Sequence, residues 1–322
     1  MLRMKKNKIL IIGKVPPPIG GVTIHTVRLL EYCEKENFKL EFYNFQDFNF
    51  LKMAKAIALT KKAHLHANNT LFQLLFVVLC RLLRTNSILT IHGDLYAHSV
   101  VMNLFQFYSI RFCDCPILLN EKSFHLAKET NANSKWMSAF IPPQKQEFLN
   151  IDLQDRINYV KTKCKYVFCT NAHSLVYDNK GNEIYGIISL VNFFKDNPKD
   201  GFVVSDPKGE YQRFFKNNNF VLGNNIVLLT GNHSFFEVLK QTDCFIRNTT
   251  TDGDSLSIKE ALYSGTRVIA SDCVDRPAGV IVFEISNPRS FEKAIFKVKT
   301  EFNLSVESTP INCAIELTDL YK

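Results

Sequence analysis

The chain alternates short apolar runs with longer segments in which apolar residues recur at helical spacing. Residues 8–12 form a compact apolar run of strand length, and residues 23–32 after them have a helical pattern. Five more runs of strand length follow, at residues 38–43, 63–67, 87–91, 116–120 and 139–141. Strands that alternate with helices predict a parallel sheet with right-handed crossovers.

The same alternation restarts after a polar stretch at residues 145–163, which we interpret as a connector. Strands are expected at residues 165–170, 202–205, 226–230, 243–247, 267–271 and 280–283. Helical patterns separate them, and residues 311–322 predict a last helix. Two such α/β halves predict two domains, whose ligands bind at the carboxyl ends of strands and in the cleft between the domains.

The composition is that of an ordinary globular protein, because 46% of the residues are hydrophobic and 22% are charged. These proportions exclude whole-chain disorder, collagen and coiled coil. The charge is uneven, since residues 1–150 carry 19 basic and 10 acidic residues whereas residues 151–322 carry 20 and 21. The basic half predicts an acidic partner or an anionic membrane surface, and it lacks the stripe with interleaved aromatics that indicates nucleic-acid binding.

The spacing of the cysteines and the lengths of the apolar runs indicate in which cellular compartment the protein is expected. The nine cysteines include no CxxC pair, which favours free thiols in a reducing cytosol. The first apolar run is short and is followed by structured sequence, so we do not interpret it as a signal peptide. The run at residues 71–80 is too short to cross about 30 Å of hydrocarbon and predicts a buried helix. We expect a cytoplasmic protein that contacts the inner face of the cell membrane peripherally.

The segment most informative about chemistry is residues 247–265, RNTTTDGDSLSIKEALYSG. Asp254 or Ser255 can cap a helix that begins at Leu256, and the same N-terminus can bind phosphate through its backbone N–H groups. Asp252 in the loop and Glu260 on the helix can face one polyhydroxylated ligand, since a carboxylate accepts several O–H hydrogen bonds.

This segment, continued by TRVIASD, resembles the donor-binding motif of the family four glycosyltransferases, which have the GT-B fold. In that family an acidic residue and a glutamate are separated by seven residues, as Asp252 and Glu260 are here. Weaker similarities cover most of the chain, namely Gly20-Gly21 and residues 63–66, 90–93 and 224–231. The variant DGDSxSxxEAL, followed by Arg276-Pro277, is similar to enzymes of bacterial surface polysaccharide assembly.

The resemblance implies an α/β chain with the GT-B architecture: two Rossmann-like, doubly wound parallel-sheet domains that face a cleft. The acceptor-side domain would span residues 1–150 and the nucleotide-sugar donor domain residues 151–305. A C-terminal helix at about residues 306–322 would pack back onto the first domain.

The resemblance also implies roles for single residues. Glu260 would bind the ribose hydroxyls of a nucleotide, Asp252 would hold a hydroxyl of the donor sugar, and His92 would lie near the transferred sugar or on the acceptor side. The donor diphosphate would lie against backbone N–H groups near Gly20, Gly21, Asp254, Ser255 and Leu256. The family retains anomeric configuration and needs no metal and no cofactor beyond its nucleotide-sugar co-substrate.

One departure from the family concerns the cations that bind the donor diphosphate. The family has an arginine and a lysine there, whereas this chain has Tyr185 at the lysine position and no arginine at the preceding strand end. We expect Arg247 to substitute, with Arg276 and Lys180 as further candidates. If no cation reaches the phosphates, the chain would be a degenerate, non-catalytic binding subunit.

Simpler interpretations stay open for the same residues. Asp252-Gly253-Asp254 has the acid-x-acid pattern that binds Mn²⁺ in the other glycosyltransferase fold, although we favour no metal. Glu260 can be a solvated helix carboxylate, Gly20-Gly21 an ordinary turn, and His92 a structural histidine.

His64 and His66 are expected on opposite faces of a strand, so that they form no metal pair.

The expected function is that of a retaining glycosyltransferase of hexosyltransferase type. It would move a sugar from a nucleotide donor to a lipid-linked or growing bacterial surface glycan, such as capsule, O-antigen or exopolysaccharide. The alternatives are the non-catalytic binding subunit and a nucleotide-sugar epimerase of the same fold.

Overall fold

The computed structural model describes residues 6–17, 19–96, 99–178, 180–301 and 310–322. The chain divides into two units, the first comprising residues 1–145 together with 311–322 and the second comprising residues 146–310. Each unit contains one six-stranded sheet in which all neighbouring strands are parallel. None of the helices in the described ranges is long and apolar enough to span a lipid bilayer.

The sheet of the first unit has the strand order β2-β1-β3-β4-β5-β6. Its strands are β1 (Lys6–Gly13), β2 (Leu40–Asn44), β3 (Thr60–His66), β4 (Asn86–Ile91), β5 (Cys115–Leu118) and β6 (Lys135–Trp136). The helices between them are α1 (Gly21–Lys35), α2 (Phe50–Ala58), α3 (Thr70–Leu82), α4 (Val100–Phe112) and α5 (Glu121–Thr130).

Helices cover both faces of this sheet, which explains why β1 is apolar at successive positions. Side chains alternate across a strand. Leu10 and Ile12 therefore join the core that includes α2 and α3, whereas Ile9 and Ile11 join the core that includes α1. A parallel strand buried on both faces has a continuous apolar run rather than an alternating one.

The sheet of the second unit has the strand order β12-β11-β10-β7-β8-β9. Its strands are β7 (Tyr166–Asn171), β8 (Asp200–Ser205), β9 (Ile226–Leu229), β10 (Cys244–Arg247), β11 (Arg267–Ser271) and β12 (Val280–Phe283). Its helices are α6 (Ile151–Lys163), α7 (Ile187–Asp196), α8 (Glu210–Asn217), α9 (Phe235–Leu239), α10 (Leu256–Ser264) and α11 (Pro288–Thr300). Cores again lie on both faces of the sheet.

The last helix, α12 (Cys313–Tyr321), packs onto α1 of the first unit. Its residues Cys313, Ala314, Leu317 and Tyr321 are buried in the core that contains α1. The Tyr321 hydroxyl lies 2.6 Å from Nδ1 of His64 on β3. Residues 306–309 of the expected terminal helix lie outside the described residues.

Two expectations about secondary structure were wrong. Residues 145–163 are more than a connector, because α6 begins at Ile151 after an Asn150 cap and buries Leu153, Ile157 and Val160 at helical spacing. Residues 139–141 form no strand, and the sixth strand is the short β6 before them. The carbonyls of Ala139 and Ile141 instead accept hydrogen bonds from His25 and Arg28, so side chains satisfy groups that a strand would have used.

Candidate functional site

Each sheet has one topological switch point, where the chain leaves neighbouring strands in opposite directions. In the first unit it lies between β1 and β3, and in the second it lies between β7 and β10. Ligands of doubly wound sheets bind at the carboxyl ends of the strands at such points. His66 is the last residue of β3, and Asn171 and Arg247 are the last residues of β7 and β10. The motif that begins at Arg247 therefore starts at the switch point of the second unit, and His66 lies at the switch point of the first.

In the second unit, the motif at residues 247–265 forms the end of β10, a loop, and helix α10. Ser255 is the residue before the helix, and its side chain makes no capping hydrogen bond. The first backbone N–H groups of an α-helix have no partner within the helix, and they carry the positive end of its dipole. Helix α10 begins at Leu256, as the sequence predicted, and its uncapped N-terminus has backbone N–H groups that can bind an anion.

Three buried side-chain oxygen atoms, at the end of β7 and in the loop before α10, have no hydrogen-bond partner among the described residues. They are Ser255 Oγ, Asn171 Oδ1 and Thr250 Oγ1. The amide of Asn171 donates to Ser257 Oγ on the first turn of α10 at 2.9 Å, which links the end of β7 to the helix start. Because buried polar atoms are nearly always satisfied in folded proteins, this cluster is unusual and fits a site that takes a polar ligand.

Asp252 forms a buried ion-pair cluster with two arginines. Its Oδ1 accepts from Arg247 Nη2 at 2.8 Å, and its Oδ2 accepts from Arg247 Nε at 3.0 Å and from Arg276 Nη1 at 2.8 Å. Oδ1 also accepts from the backbone N–H of Gly253. Burial raises the pKa of Asp252, but Arg247 and Arg276 outweigh it and hold the pKa below its usual range.

These contacts conflict with the role predicted for Asp252 as a direct ligand of the donor sugar. A carboxylate has about four lone-pair sites, and the arginines and Gly253 occupy that number. The side chain is also only 6% exposed. Asp252 instead fixes two guanidinium groups, and the cluster of two cations and one anion retains one net positive charge.

The two arginines differ in how much of that charge they can offer to a ligand. Arg276 is 2% exposed and also donates to the Ser271 carbonyl, so it is committed to the fold. Arg247 pairs with Asp252 through Nε and Nη2, and its Nη1 has no partner within the described ranges. Arg247 also lies over the ring of Tyr185, 5.3 Å from its centroid.

The Tyr185 contact bears on the lysine that the resemblance to the family four glycosyltransferases predicts at this position. The Tyr185 ring instead supports the guanidinium of Arg247, which enters from β10. A cation therefore lies beside the predicted lysine position although the lysine itself is missing. Lys180, the other candidate, is exposed in a turn whose backbone binds Asp178.

Glu260 and Asp254 occupy different surroundings on and before α10. Glu260 is only 5% exposed, so the interpretation as a solvated helix carboxylate was wrong. Asp254 forms an ion pair with Lys259 of the same helix. No contact of either residue tests the predicted ribose or diphosphate roles, which stay predictions.

In the first unit, Gly20 and Gly21 lead into α1 at the carboxyl end of β1. The Gly20 N–H donates to Thr23 Oγ1 at 3.0 Å, and no side chain of residue 20 can cap the helix. A Cβ added at Gly21 would meet no described atom within 4 Å, so packing within the protein does not require glycine there. That open space is compatible with the close approach of a ligand to the backbone.

His92, directly after β4, belongs to a cluster of three histidines with His25 and His66. Nε2 of His92 lies 3.2 Å from Nδ1 of His66, and Nδ1 of His25 donates to the Ala139 carbonyl at 2.8 Å. Burial lowers the pKa of His66 and of His92 well below the ordinary histidine value, and the neighbouring histidines lower both further. His66 and His92 are therefore neutral at physiological pH and can donate and accept hydrogen bonds.

His25, His66 and His92 are also candidate ligands for a metal ion. One nitrogen from each of His25, His66 and His92 can be chosen so that all lie within 4.8 Å of one another. Imidazoles bound to one zinc ion have nitrogens roughly 3.4 Å apart, given Zn–N distances of about 2.1 Å. The trio thus has donor atoms of a type that binds zinc within 4.8 Å of one another, and one pair, His66 Nδ1 and His92 Nε2, is 3.2 Å apart.

The expectation that His64 and His66 face opposite sides of β3 was wrong. Residues two apart in a strand share a face, and the two ring centroids are 4.0 Å apart. His64 is fully paired between the Tyr321 hydroxyl and Thr90 Oγ1. Only His66 joins the cluster at the end of the sheet.

Sequence reasoning missed Asn171 and the supporting role of Tyr185. Each contacts a motif residue from a distant part of the chain, so no local spacing marks it. The available signal for Asn171 was its position, because it ends a strand at a sheet switch point.

No protein-family model matches this chain, and no curated protein sequence matches it. Solved structures do match. HepE of Anabaena, in complex with UDP and glucose, is 12% identical, has a TM-score of 0.68, and the match covers 98% of this chain and 94% of HepE. WaaG, described as a glycosyltransferase involved in lipopolysaccharide biosynthesis, is 9% identical with a TM-score of 0.61 and coverage of 98% and 99%.

The chain has the GT-B fold. Its two six-stranded parallel sheets with alternating helices are the two Rossmann-like units of that fold, as the sequence predicted. The fold also occurs with other chemistry, since a Listeria monocytogenes protein described as a UDP-N-acetylglucosamine 2-epimerase is 10% identical with a TM-score of 0.63 and coverage of 98% and 95%. Fold alone therefore does not decide the reaction.

Proposed function

We propose that the protein is a retaining, metal-independent glycosyltransferase of hexosyltransferase type. It would move a sugar from a nucleotide donor to a lipid-linked or growing bacterial surface glycan. The observation that carries the proposal is the uncapped start of α10, with buried unpartnered oxygens and a net positive arginine cluster beside it. Structures with the same fold have been solved with UDP, UDP with glucose, and UDP-glucose, which supports a nucleotide-sugar donor.

The positive groups of this site suit the charge that develops on a departing nucleoside diphosphate. In the proposed reaction the bond between the anomeric carbon and the diphosphate oxygen breaks as the bond to the acceptor oxygen forms. The acceptor hydroxyl transfers its proton to the departing phosphate oxygen on the same face, so anomeric configuration is retained. Fixed dipoles and cations that point at developing charge lower the barrier without reorganisation.

The cation in this scheme is Arg247, which is why no metal is invoked. Its Nη1 would bind a phosphate oxygen, while Asp252 holds the rest of the guanidinium and Tyr185 supports its face. Backbone N–H groups at Ser255 and Leu256 would bind the same diphosphate. Asp252 then acts as a positioning residue rather than as a sugar ligand.

The remaining roles follow the family resemblance. Glu260 would bind the ribose hydroxyls of the donor from within α10. In the first unit, the backbone at Gly20 and Gly21 would approach the diphosphate, and His92 would bind a sugar or acceptor hydroxyl as a neutral imidazole. No cofactor is needed beyond the nucleotide-sugar co-substrate.

The proposed acceptor is an anionic or lipid-linked glycan at the inner face of a cell membrane. The basic excess of residues 1–150 supports such a partner. Structural similarity to WaaG, described as acting in lipopolysaccharide biosynthesis, is consistent with it. A cytoplasmic protein that touches the membrane peripherally fits this acceptor.

The experiment is a donor screen read by mass spectrometry. Purified protein is incubated with UDP-, GDP-, ADP- and CMP-sugars in the presence of a crude lipid-linked acceptor extract. The proposal predicts one donor that yields a glycosylated lipid and free nucleotide, and loss of product in Arg247→Gln. Failure of every donor to give a glycosylated product would reject the transferase assignment.

Two other functions have specific support. The missing arginine and lysine favour a non-catalytic binding subunit, and the epimerase-like neighbour favours an epimerase. Calorimetry separates the first, because a binding subunit of that kind gives no heat with any nucleoside diphosphate. Product analysis without acceptor separates the second, because an epimerase converts the donor by itself.

A further inference from the structure

The helices α3 and α4 leave an unusual amount of apolar side chain in solvent. They hold 11 of the 28 large hydrophobic side chains that are exposed among the described residues, although together they contain only 26 residues. The exposed fractions run from 38 to 85%. The side chains are Leu71, Leu75, Val78 and Leu82 on α3, and Val100, Val101, Met102, Leu104, Phe107, Tyr108 and Phe112 on α4.

These side chains form a surface rather than scattered points. On α3 they recur at spacings of four, three and four, and on α4 Val100, Leu104 and Phe107 repeat the same pattern, so each helix has an apolar stripe facing outward. Thr70 contacts Met102 at the two helix starts, and Arg81 lies over the Phe112 ring near the two ends. The helices therefore run side by side, and we name their outward stripes the α3–α4 face.

Positive charges predominate around the α3–α4 face. Arg81, Arg84 and Arg111 are exposed at the ends of the two helices, and neither helix contains an aspartate or glutamate. Across residues 48–113 there are seven lysines or arginines and one acidic residue, Asp94. A second copy of this chain docked on the face would bring like charges together, which disfavours self-association.

We propose that the α3–α4 face binds the surface of a bilayer that contains anionic lipid. Apolar stripes of this kind enter the boundary between headgroups and acyl chains, while arginines at their edge bind lipid phosphates. The inference rests on the proposed membrane-borne acceptor and names the surface that reaches it. It accounts for exposed apolar area that a soluble protein without a partner seldom carries.

The test is vesicle co-sedimentation of the full chain. Vesicles are made of phosphatidylcholine alone and of phosphatidylcholine with phosphatidylglycerol in a two-to-one ratio. The wild type is expected to bind the mixed vesicles, and to bind them more weakly at high salt because the Debye length falls to about 3 Å at 1 M. It should bind the neutral vesicles at least tenfold less well.

Two sets of variants separate the apolar and the charged contributions. Leu75→Gln/Leu104→Gln removes two exposed side chains and keeps every charge, and we expect at least a tenfold loss of partitioning. Arg81→Gln/Arg84→Gln/Arg111→Gln should lose about 100-fold on mixed vesicles, since each cation near an anionic surface contributes about fivefold. The matched control, Val221→Gln/Phe296→Gln, changes two apolar residues of the second unit that are even more exposed and should bind like the wild type.

The outcomes are distinguishable from those of the donor screen. Leu75→Gln/Leu104→Gln should keep the circular dichroism and nucleotide binding of the wild type, so a loss of vesicle binding is not a loss of fold. Equal partitioning of this variant and the wild type overturns the inference even if transfer is intact. The inference is also overturned if the wild type does not bind vesicles but forms a dimer, seen by light scattering, and Leu75→Gln/Leu104→Gln is a monomer.

Discussion

At the scale of the residue, Asp252 shows how a motif position can be identified while its contacts differ from expectation. Spacing to Glu260 selects it correctly as part of a buried polar centre, but its oxygens are taken by Arg247, Arg276 and Gly253. Sequence spacing does not predict that Arg276, which lies 24 residues further along the chain, pairs with Asp252. The pairing follows from the meeting of β10 and the loop after β11, a feature of the folded chain alone.

This arrangement predicts the effect of Asp252→Asn. Removing the charge leaves two buried guanidinium groups without an anion, and breaking a buried pair in this way costs about 3 to 5 kcal/mol. We expect the free energy of unfolding of the second unit to fall by about that amount, as measured by urea denaturation followed by circular dichroism. A variant with wild-type stability and reduced turnover would instead restore Asp252 as a direct sugar ligand.

The buried histidines predict a pH dependence of the first unit. Burial lowers the pKa of His64 to about 3, and the pKa values of His66 and His92 are also lowered well below the ordinary value of 6.5. The unfolded chain therefore binds protons below pH about 6.5 that the folded chain does not, and stability falls as the pH falls. Each histidine contributes up to about 1.4 kcal/mol per pH unit, so about 4 kcal/mol should be lost between pH 7.5 and 5.5.

The single tryptophan, Trp136, lies in the first unit and reports its unfolding by fluorescence. His64→Gln removes one of the three titrating groups and should reduce the loss between pH 7.5 and 5.5 by about a third. A free energy of unfolding that stays constant over this range would contradict the neutral state of His64, His66 and His92 in the folded chain.

At the scale of the element, α10 begins without the side-chain cap that six of the twelve α-helices in the described residues have. Substituting an effective cap costs about 1 kcal/mol, so Ser255→Ala should cost much less because Ser255 makes no capping bond. The same change removes an unpartnered Oγ at the proposed diphosphate site. We expect nearly unchanged stability and about tenfold weaker nucleoside diphosphate binding by calorimetry.

Asn150 provides the matched control for Ser255. Its side chain caps α6 in the same unit by accepting from the Leu153 N–H at 2.9 Å. Asn150→Ala should lose about 1 kcal/mol of stability and keep its nucleotide affinity. Equal losses of affinity in both variants would mean that Ser255 acts only through helix stability.

Sequence patterns predicted the strands and helices whose apolar residues recur at a regular spacing. They failed where contacts between distant parts of the chain determine the local structure. The apolar run of β1 marks a strand buried on both faces, and residues 256–264 mark α10 with Gly265 after it. Residues 139–141 look like a strand but place their carbonyls against His25 and Arg28. The apolar positions of α6 at 153, 157 and 160 were readable, but charged residues between them obscured the pattern.

At the scale of the whole molecule, the two units carry different chemistry. The second unit has an arginine cluster with a net positive charge and an uncapped helix start after the strand at its switch point. The first unit has neutral histidines at its switch point and helices with exposed apolar and basic side chains elsewhere. This division fits a donor site in the second unit and acceptor functions in the first. The prediction of two doubly wound parallel sheets was confirmed. The alternation of strands and helices along the chain determines this fold class, and it does not depend on which ligand the protein binds.

The central claim is that α10 holds a nucleotide, and isothermal titration calorimetry of the full chain tests it most directly. UDP, GDP, ADP and CDP are titrated into the wild type, into Glu260→Ala, and into Glu292→Ala, which changes an exposed carboxylate of α11 as control. The account predicts that one diphosphate binds the wild type and Glu292→Ala alike, and binds Glu260→Ala at least tenfold more weakly. Absence of heat with all four nucleotides, or unchanged affinity in Glu260→Ala, would contradict it.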